Sequence, residues 1–189
     1  MDYRRFGDTL LVRIDRGEEI LEQVKTVALK ENIQLASVQA LGALGSFTVG
    51  VYKVDEKKYY ANSFEGSFEI VSLTGTIDTM NGEFYTHLHL SAGNDRGEVF
   101  GGHLNRAEVS ATCEMVIRLI DGRIDRQYDE VTGLNLFKFL EQPDMINNLP
   151  FFVTREVETV VKLRFSDNLC FDFAKHGRPK VPMRKLSPS

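Results

Sequence analysis

Three of the chain's four histidines, His87, His89 and His103, lie in one stretch, residues 84–104. Neutral imidazole is the commonest protein ligand for transition metals. On a β-strand, residues i and i+2 face the same side, about 6.5–7 Å apart along the strand. His87 and His89 can therefore converge on one ion, while Leu88 and Leu90 turn toward a core. His103 follows the loop Asn94-Asp95-Arg96-Gly97 and the pair Gly101-Gly102. If that loop closes a hairpin, His103 returns beside the His-x-His strand. The two glycines would permit a bulge or close approach that re-aims it. Three neutral imidazoles with a vacant fourth position match zinc; nickel, iron and manganese accept the same donors. Such an ion could activate a water molecule. Glu83, Asp95, Glu98, Glu108 and Glu114 are carboxylates nearby that could orient a histidine or serve as a base. Spacing singles out none of them, so no catalytic residue is assigned. The competing reading makes the histidines ordinary polar residues on a half-buried sheet face.

The elements that must position this stretch are mostly strands. Residues 9–15 read as a strand. Gly17-Glu18-Glu19 opens a helix with Ile20, Val24, Val27 and Ala28 on one face, ending near Glu31-Asn32. Strand-like segments broken by glycine follow at 36–41, 47–54, 58–62 and 66–77. Asn81-Gly82 is a tight-turn signal, after which come strands at 83–91, 99–104 and 108–119, with a turn at Asp121-Gly122. Thr132-Gly133-Leu134 starts a short amphipathic turn over 134–140. The expected class is α+β, a largely antiparallel sheet with a few packed helices. The expected organisation is a compact domain at 4–140, an extension forming a strand pair at 141–174, and a disordered basic tail at 175–189.

Composition limits what this domain can do. A chain of 189 residues suits one domain with a sizeable core. No apolar run approaches the length of a membrane span, and no signal-peptide core follows the N-terminus, so a cytoplasmic protein with no membrane partner is expected. Cys113 and Cys170 lack zinc-motif spacing and sit in apolar runs, as core residues do. The net charge is -4. The tail carries Lys175, Arg178, Lys180, Arg184 and Lys185 with no acid, leaving the rest of the chain at -9. An acidic body is a poor general binder of DNA, because phosphate neutralisation supplies most non-specific affinity.

Several segments together resemble the PPC domain (plants and prokaryotes conserved), described as a predicted DNA-binding domain with a PD1-like motif. They are Arg16-Gly17-Glu18-Glu19-Ile20, Gly42-Ala43, Gly50-Val51-Tyr52, Gly66-Ser67-Phe68-Glu69-Ile70-Val71, Ser72-Leu73-Thr74-Gly75, His87-Leu88-His89, Asp95 with Gly97, Gly101-Gly102-His103-Leu104, Thr112-Cys113-Glu114 and Thr132-Gly133-Leu134. The resemblance implies a compact α+β homotrimer. It implies metal ligation by His87, His89 and His103, with a divalent metal, zinc first, as cofactor. It ties Gly66, Phe68, Glu69 and Ile70 to assembly, although the alternation of Phe68 and Ile70 with Glu69 also suits plain sheet packing. In plant members DNA binding comes chiefly from a separate AT-hook. The tail's Lys175-His176-Gly177-Arg178-Pro179-Lys180 resembles such a hook with its first arginine replaced by histidine. Arg178, Lys180, Arg184 and Lys185 are thus the candidate nucleic-acid residues, against the alternative of a solvated basic tail.

Two function classes follow, beside a purely structural trimer in which the histidines bind nothing. One is a DNA-associated regulatory trimer carrying a three-histidine metal site, which is not an enzyme. The other is a metal-dependent enzyme acting on a small molecule through a metal-activated water.

Overall fold

The computed structural model describes residues 1–140. The extension at 141–174, the tail at 175–189, Cys170 and the nucleic-acid candidates Arg178, Lys180, Arg184 and Lys185 lie outside the described residues.

Leu10, Val12 and Ile14 are buried while Leu11 and Arg13 between them are exposed, the two-residue period of a strand with one face on a core. This strand, β2 (Thr9–Asp15), follows β1 (Asp2–Phe6), which pairs with it. Helix α1 (Ile20–Lys30) buries Ile20, Val24, Val27 and Ala28, and the Glu19 side chain caps it by accepting from the Glu22 N–H at 2.8 Å. Four long strands follow: β3 (Ala36–Lys53), β4 (Lys58–Met80), β5 (Glu83–Gly93) and β6 (Val99–Leu119). Their order in the sheet is β1-β2-β6-β3-β4-β5, every pairing is antiparallel, and β5 pairs back onto β6. Strands β3, β4, β5 and β6 therefore close into a ring. Packed against its core is a cluster of aromatic rings: Phe47 stacks on Phe64 at 4.9 Å and meets Phe68 edge-on at 5.0 Å, and Phe64 stacks on Phe100 at 4.6 Å. A separate two-stranded ribbon joins β7 (Ile124–Asp129) to β8 (Leu134–Phe139).

The α+β expectation with several packed helices is corrected: the fold is a β-rich one with a single short helix among the described residues. Two features explain the difference. Glycine-broken segments that read as separate pieces are continuous strands carrying register shifts, as between Ala40 and Ala43 and between Leu44 and Ser46 in β3. Such β-bulges bend a strand without ending it. The amphipathic turn expected at 134–140 is strand β8, held by backbone pairing to β7 rather than by helical bonds. Cys113 is fully buried, and burial pushes its thiol up to about 12, which makes it an inert core residue. No helix among the described residues is long and apolar enough to cross a membrane.

Candidate metal centre

Leu88 and Leu90 are 1% and 2% exposed, so β5 turns them into the core and His87 and His89 outward. The Asn94 loop closes the expected hairpin. Its side-chain oxygen accepts from the backbone N–H of Arg96 and of Glu98, both at 3.0 Å, and its own N–H donates to the Glu98 carbonyl. The returning strand sets His103 directly opposite His89. Gly102 supplies a close approach, since a Cβ there would stand 2.6 Å from the Gly50 carbonyl oxygen of β3. The bulge falls slightly later: Thr48 pairs with Arg106 but Val49 with Leu104, leaving Asn105 as the extra residue. Asn105 accepts a hydrogen bond from the Tyr59 hydroxyl, and the Tyr59 ring stands edge-on to His103 at 6.2 Å. Tyr59 had no marker in the sequence, because the β3–β4 hairpin brings it to His103 from 44 residues away.

The outcome is a cluster in which one ring nitrogen from each of His87, His89 and His103 lies within 4.8 Å of the other two. The Nε2 atoms of His87 and His89 are 3.2 Å apart. Ligands about 2.0–2.1 Å from a tetrahedral zinc stand about 3.3 Å from each other. Burial lowers the pKa of His87 first, with the neighbouring His103 and His89 and the Arg126 charge adding and Asp78 opposing. Burial and then His89 lower that of His103. Both rings are thereby held in the neutral, lone-pair-bearing form a metal needs. On donor type and spacing the three residues fit a divalent ion.

The sign of the titration gives a prediction. With folded-state pKa values below the ordinary 6.5, the unfolded chain binds more protons than the folded one as pH drops through that value. The histidine contribution to stability is thus complete above 6.5 and is lost as pH falls through it toward the lower folded values. Metal-free protein should melt at progressively lower temperature from about pH 7 to about pH 5, and the double substitution His87→Gln/His103→Gln should flatten that slope. Equal slopes in both proteins, followed by thermal melts in chelator, would refute it.

None of the five carboxylates near the site in sequence approaches it as a partner. Glu98 accepts from Asn94 at 2.7 Å and pairs with Arg96, and Glu108 pairs with Arg106. A different carboxylate, Asp78, lies on the same sheet face as His87. Thr76 stands opposite His87 and Asp78 opposite Tyr85, so Thr76, Asp78, Tyr85 and His87 share one face of the β4–β5 pair. Asp78 is 0% exposed and takes a bidentate ion pair from Arg126 of the ribbon, at 2.6 and 2.8 Å. The assembly candidates divide by burial: Phe68 and Ile70 are packed into the core, as sheet residues are, while Gly66 and Glu69 are exposed.

The fold and the histidine face define a class: a small closed β-ring with an outward three-imidazole cluster. The family model for the Plants and Prokaryotes Conserved (PCC) domain matches residues 1–121, and the chain belongs to that family. Solved structures agree. A candidate DNA-binding protein from Bacteroides thetaiotaomicron is 30% identical, with 73% of this chain and 96% of that one covered and a TM-score of 0.71. A plant- and prokaryote-conserved protein from Pyrococcus horikoshii is 34% identical over 74% and 95% of the two chains, with a TM-score of 0.64. A metal-containing protein from Archaeoglobus fulgidus is 32% identical over 74% and 99%, with a TM-score of 0.65. A comparison with curated proteins finds no match.

Proposed function

We propose that the chain is a cytoplasmic, metal-binding PPC-domain protein that forms a homotrimer and works in association with DNA, with His87, His89 and His103 holding a divalent ion of the zinc class. The observation that carries the metal reading is the convergence of three imidazole nitrogens within 4.8 Å on one outward face. The similarity to a metal-containing archaeal protein supports it. Self-association is supported by an apolar face left uncovered among the described residues. Phe6, Leu11, Leu41 and Val116 are 61%, 49%, 60% and 40% exposed around a groove of about 500 Å³ spanning β1, β2, β3 and β6. The exposed Gly66 and Glu69 are further candidates for contacts between copies. DNA association is supported by the description of the Bacteroides relative. It would run through Arg178, Lys180, Arg184 and Lys185, because the acidic body repels phosphate.

A second reading, a metal-dependent enzyme acting on a small molecule, is favoured by one feature. Three protein ligands on an open face leave a coordination position for water, which a bound ion makes more acidic.

The test is elemental analysis of protein purified without a histidine tag. About one equivalent of metal per chain is expected, falling below about a tenth in His89→Ala, from a particle of trimer mass by light scattering. Metal well below one equivalent and unchanged by His89→Ala would refute the site.

A further inference from the structure

The β7–β8 ribbon takes no part in the main sheet, yet it is fastened to β4 at one end and to the β3–β4 hairpin at the other. At one end Thr79 donates to the Ile124 carbonyl at 3.0 Å, and Arg126 grips Asp78. At the other, the Lys57 ammonium donates to the Glu130 carbonyl at 2.7 Å. Lys57 belongs to the tip of the β3–β4 hairpin, whose Gly50 pairs with His103. The ribbon therefore braces the β4–β5 pair that carries His87 and the hairpin of β3, the strand that pairs with His103 of β6.

Arg126 is the centre of this brace. It is 5% exposed, its Nε and Nη2 donate to the two Asp78 oxygens, and its Nη1 donates to the Asn135 carbonyl at 2.9 Å. Its guanidinium lies 4.5 Å from the ring centroids of both Tyr85 and Phe137. These donors commit Arg126 to the fold. Its reach toward the site is indirect: Asp78 also accepts from the Thr76 hydroxyl at 2.7 Å, and Thr76 is the residue opposite His87. Tyr85 precedes His87 on the same face. The two side chains flanking His87 are thus fixed by the ion pair.

We propose that Arg126 and Asp78 are the positioning residues of the three-histidine site, and that the ribbon is a required part of that site. The proposal rests on reading the histidines as a metal centre. Residues that orient metal ligands from behind typically change affinity about 10- to 100-fold when altered.

Cobalt(II) reports both occupancy and geometry through its visible absorption, which a role in fold stability alone would not alter in a folded protein. Wild-type protein should take up one cobalt per chain with the intense bands of a four-coordinate ion. The double variant Asp78→Asn/Arg126→Met removes both charges, so no lone buried charge remains to unfold it. It should bind cobalt about 10- to 100-fold more weakly, with shifted bands. Arg126→Lys keeps the charge but loses the fork, and should also show shifted bands, so it carries the test if the double variant does not fold. Wild-type affinity and spectrum in either folded variant would overturn the positioning role while leaving the metal site intact. Absence of cobalt binding by wild-type protein would overturn the metal reading, and this proposal with it.

Discussion

Arg126→Met should lower stability by about 3–5 kcal/mol, read as a shift of the urea midpoint. The reason is what the substitution leaves behind. Asp78 is fully buried, and without the guanidinium its carboxylate keeps only the Thr76 hydroxyl as a side-chain donor. A buried charge stripped of its partner costs far more than the intact pair contributes. The Tyr85 and Phe137 rings also lose the cation that lies over each of them, worth about 0.5–1 kcal/mol where the ring is exposed, as Phe137 is. The double variant Asp78→Asn/Arg126→Met should lose much less than the sum of the single changes, because the residues are in direct contact and the charge leaves with its partner. A loss below about 1 kcal/mol for Arg126→Met alone would mean that water reaches Asp78 and that the ribbon is not fastened there.

The second large effect is expected at Gly75. This residue pairs with Leu88, between the rows that hold His87 and His89. A Cβ at Gly75 would overlap the His87 carbonyl oxygen and stand 2.9 Å from the Leu88 Cα. The obstacle is backbone, so neither atom can rotate away and β4 must part from β5. Gly75→Ala should cost about 3 kcal/mol, the upper end of the overpacking range, and should weaken metal binding as His87 shifts. Gly45→Ala is the control: its Cβ would meet only the Ser110 side chain, at 3.6 Å, and should cost less than about 1 kcal/mol. Equal denaturation midpoints for the two variants would contradict the close-approach argument.

These two sites mark where local reasoning stops. The outward His87 and His89, the buried Leu88 and Leu90 and the hairpin return of His103 were legible because each depends on a two-residue period or a nearby loop. Helix α1 was legible because Ile20, Val24, Val27 and Ala28 repeat at helical spacing. Asp78 was not. It is one polar residue in an alternating strand, and its partner lies 48 residues away on a ribbon whose first strand has no strong pattern. Proximity in sequence pointed to Glu83, Asp95, Glu98, Glu108 and Glu114, whereas proximity across a strand pair belongs to Asp78. The segment 134–140 misled because so short a run, with Leu134, Leu136, Phe137 and Phe139, satisfies a helical and a strand period equally well. Only the pairing with β7 decides between them.

The closed ring has a consequence for exchange with solvent. From His89 to Gly93, β5 is hydrogen-bonded to β4 on one side and to β6 on the other, so this wall of the site opens only when the domain unfolds. The ribbon is two-stranded and sits outside that ring, and isolated two-stranded units are only marginally stable in water. Amide protons of the ribbon would exchange through small local openings while those of the histidine strand wait for the global one. The strand that carries His87 and His89 and the ribbon should therefore exchange on different scales, slowest from His89 to Gly93 and faster in the ribbon.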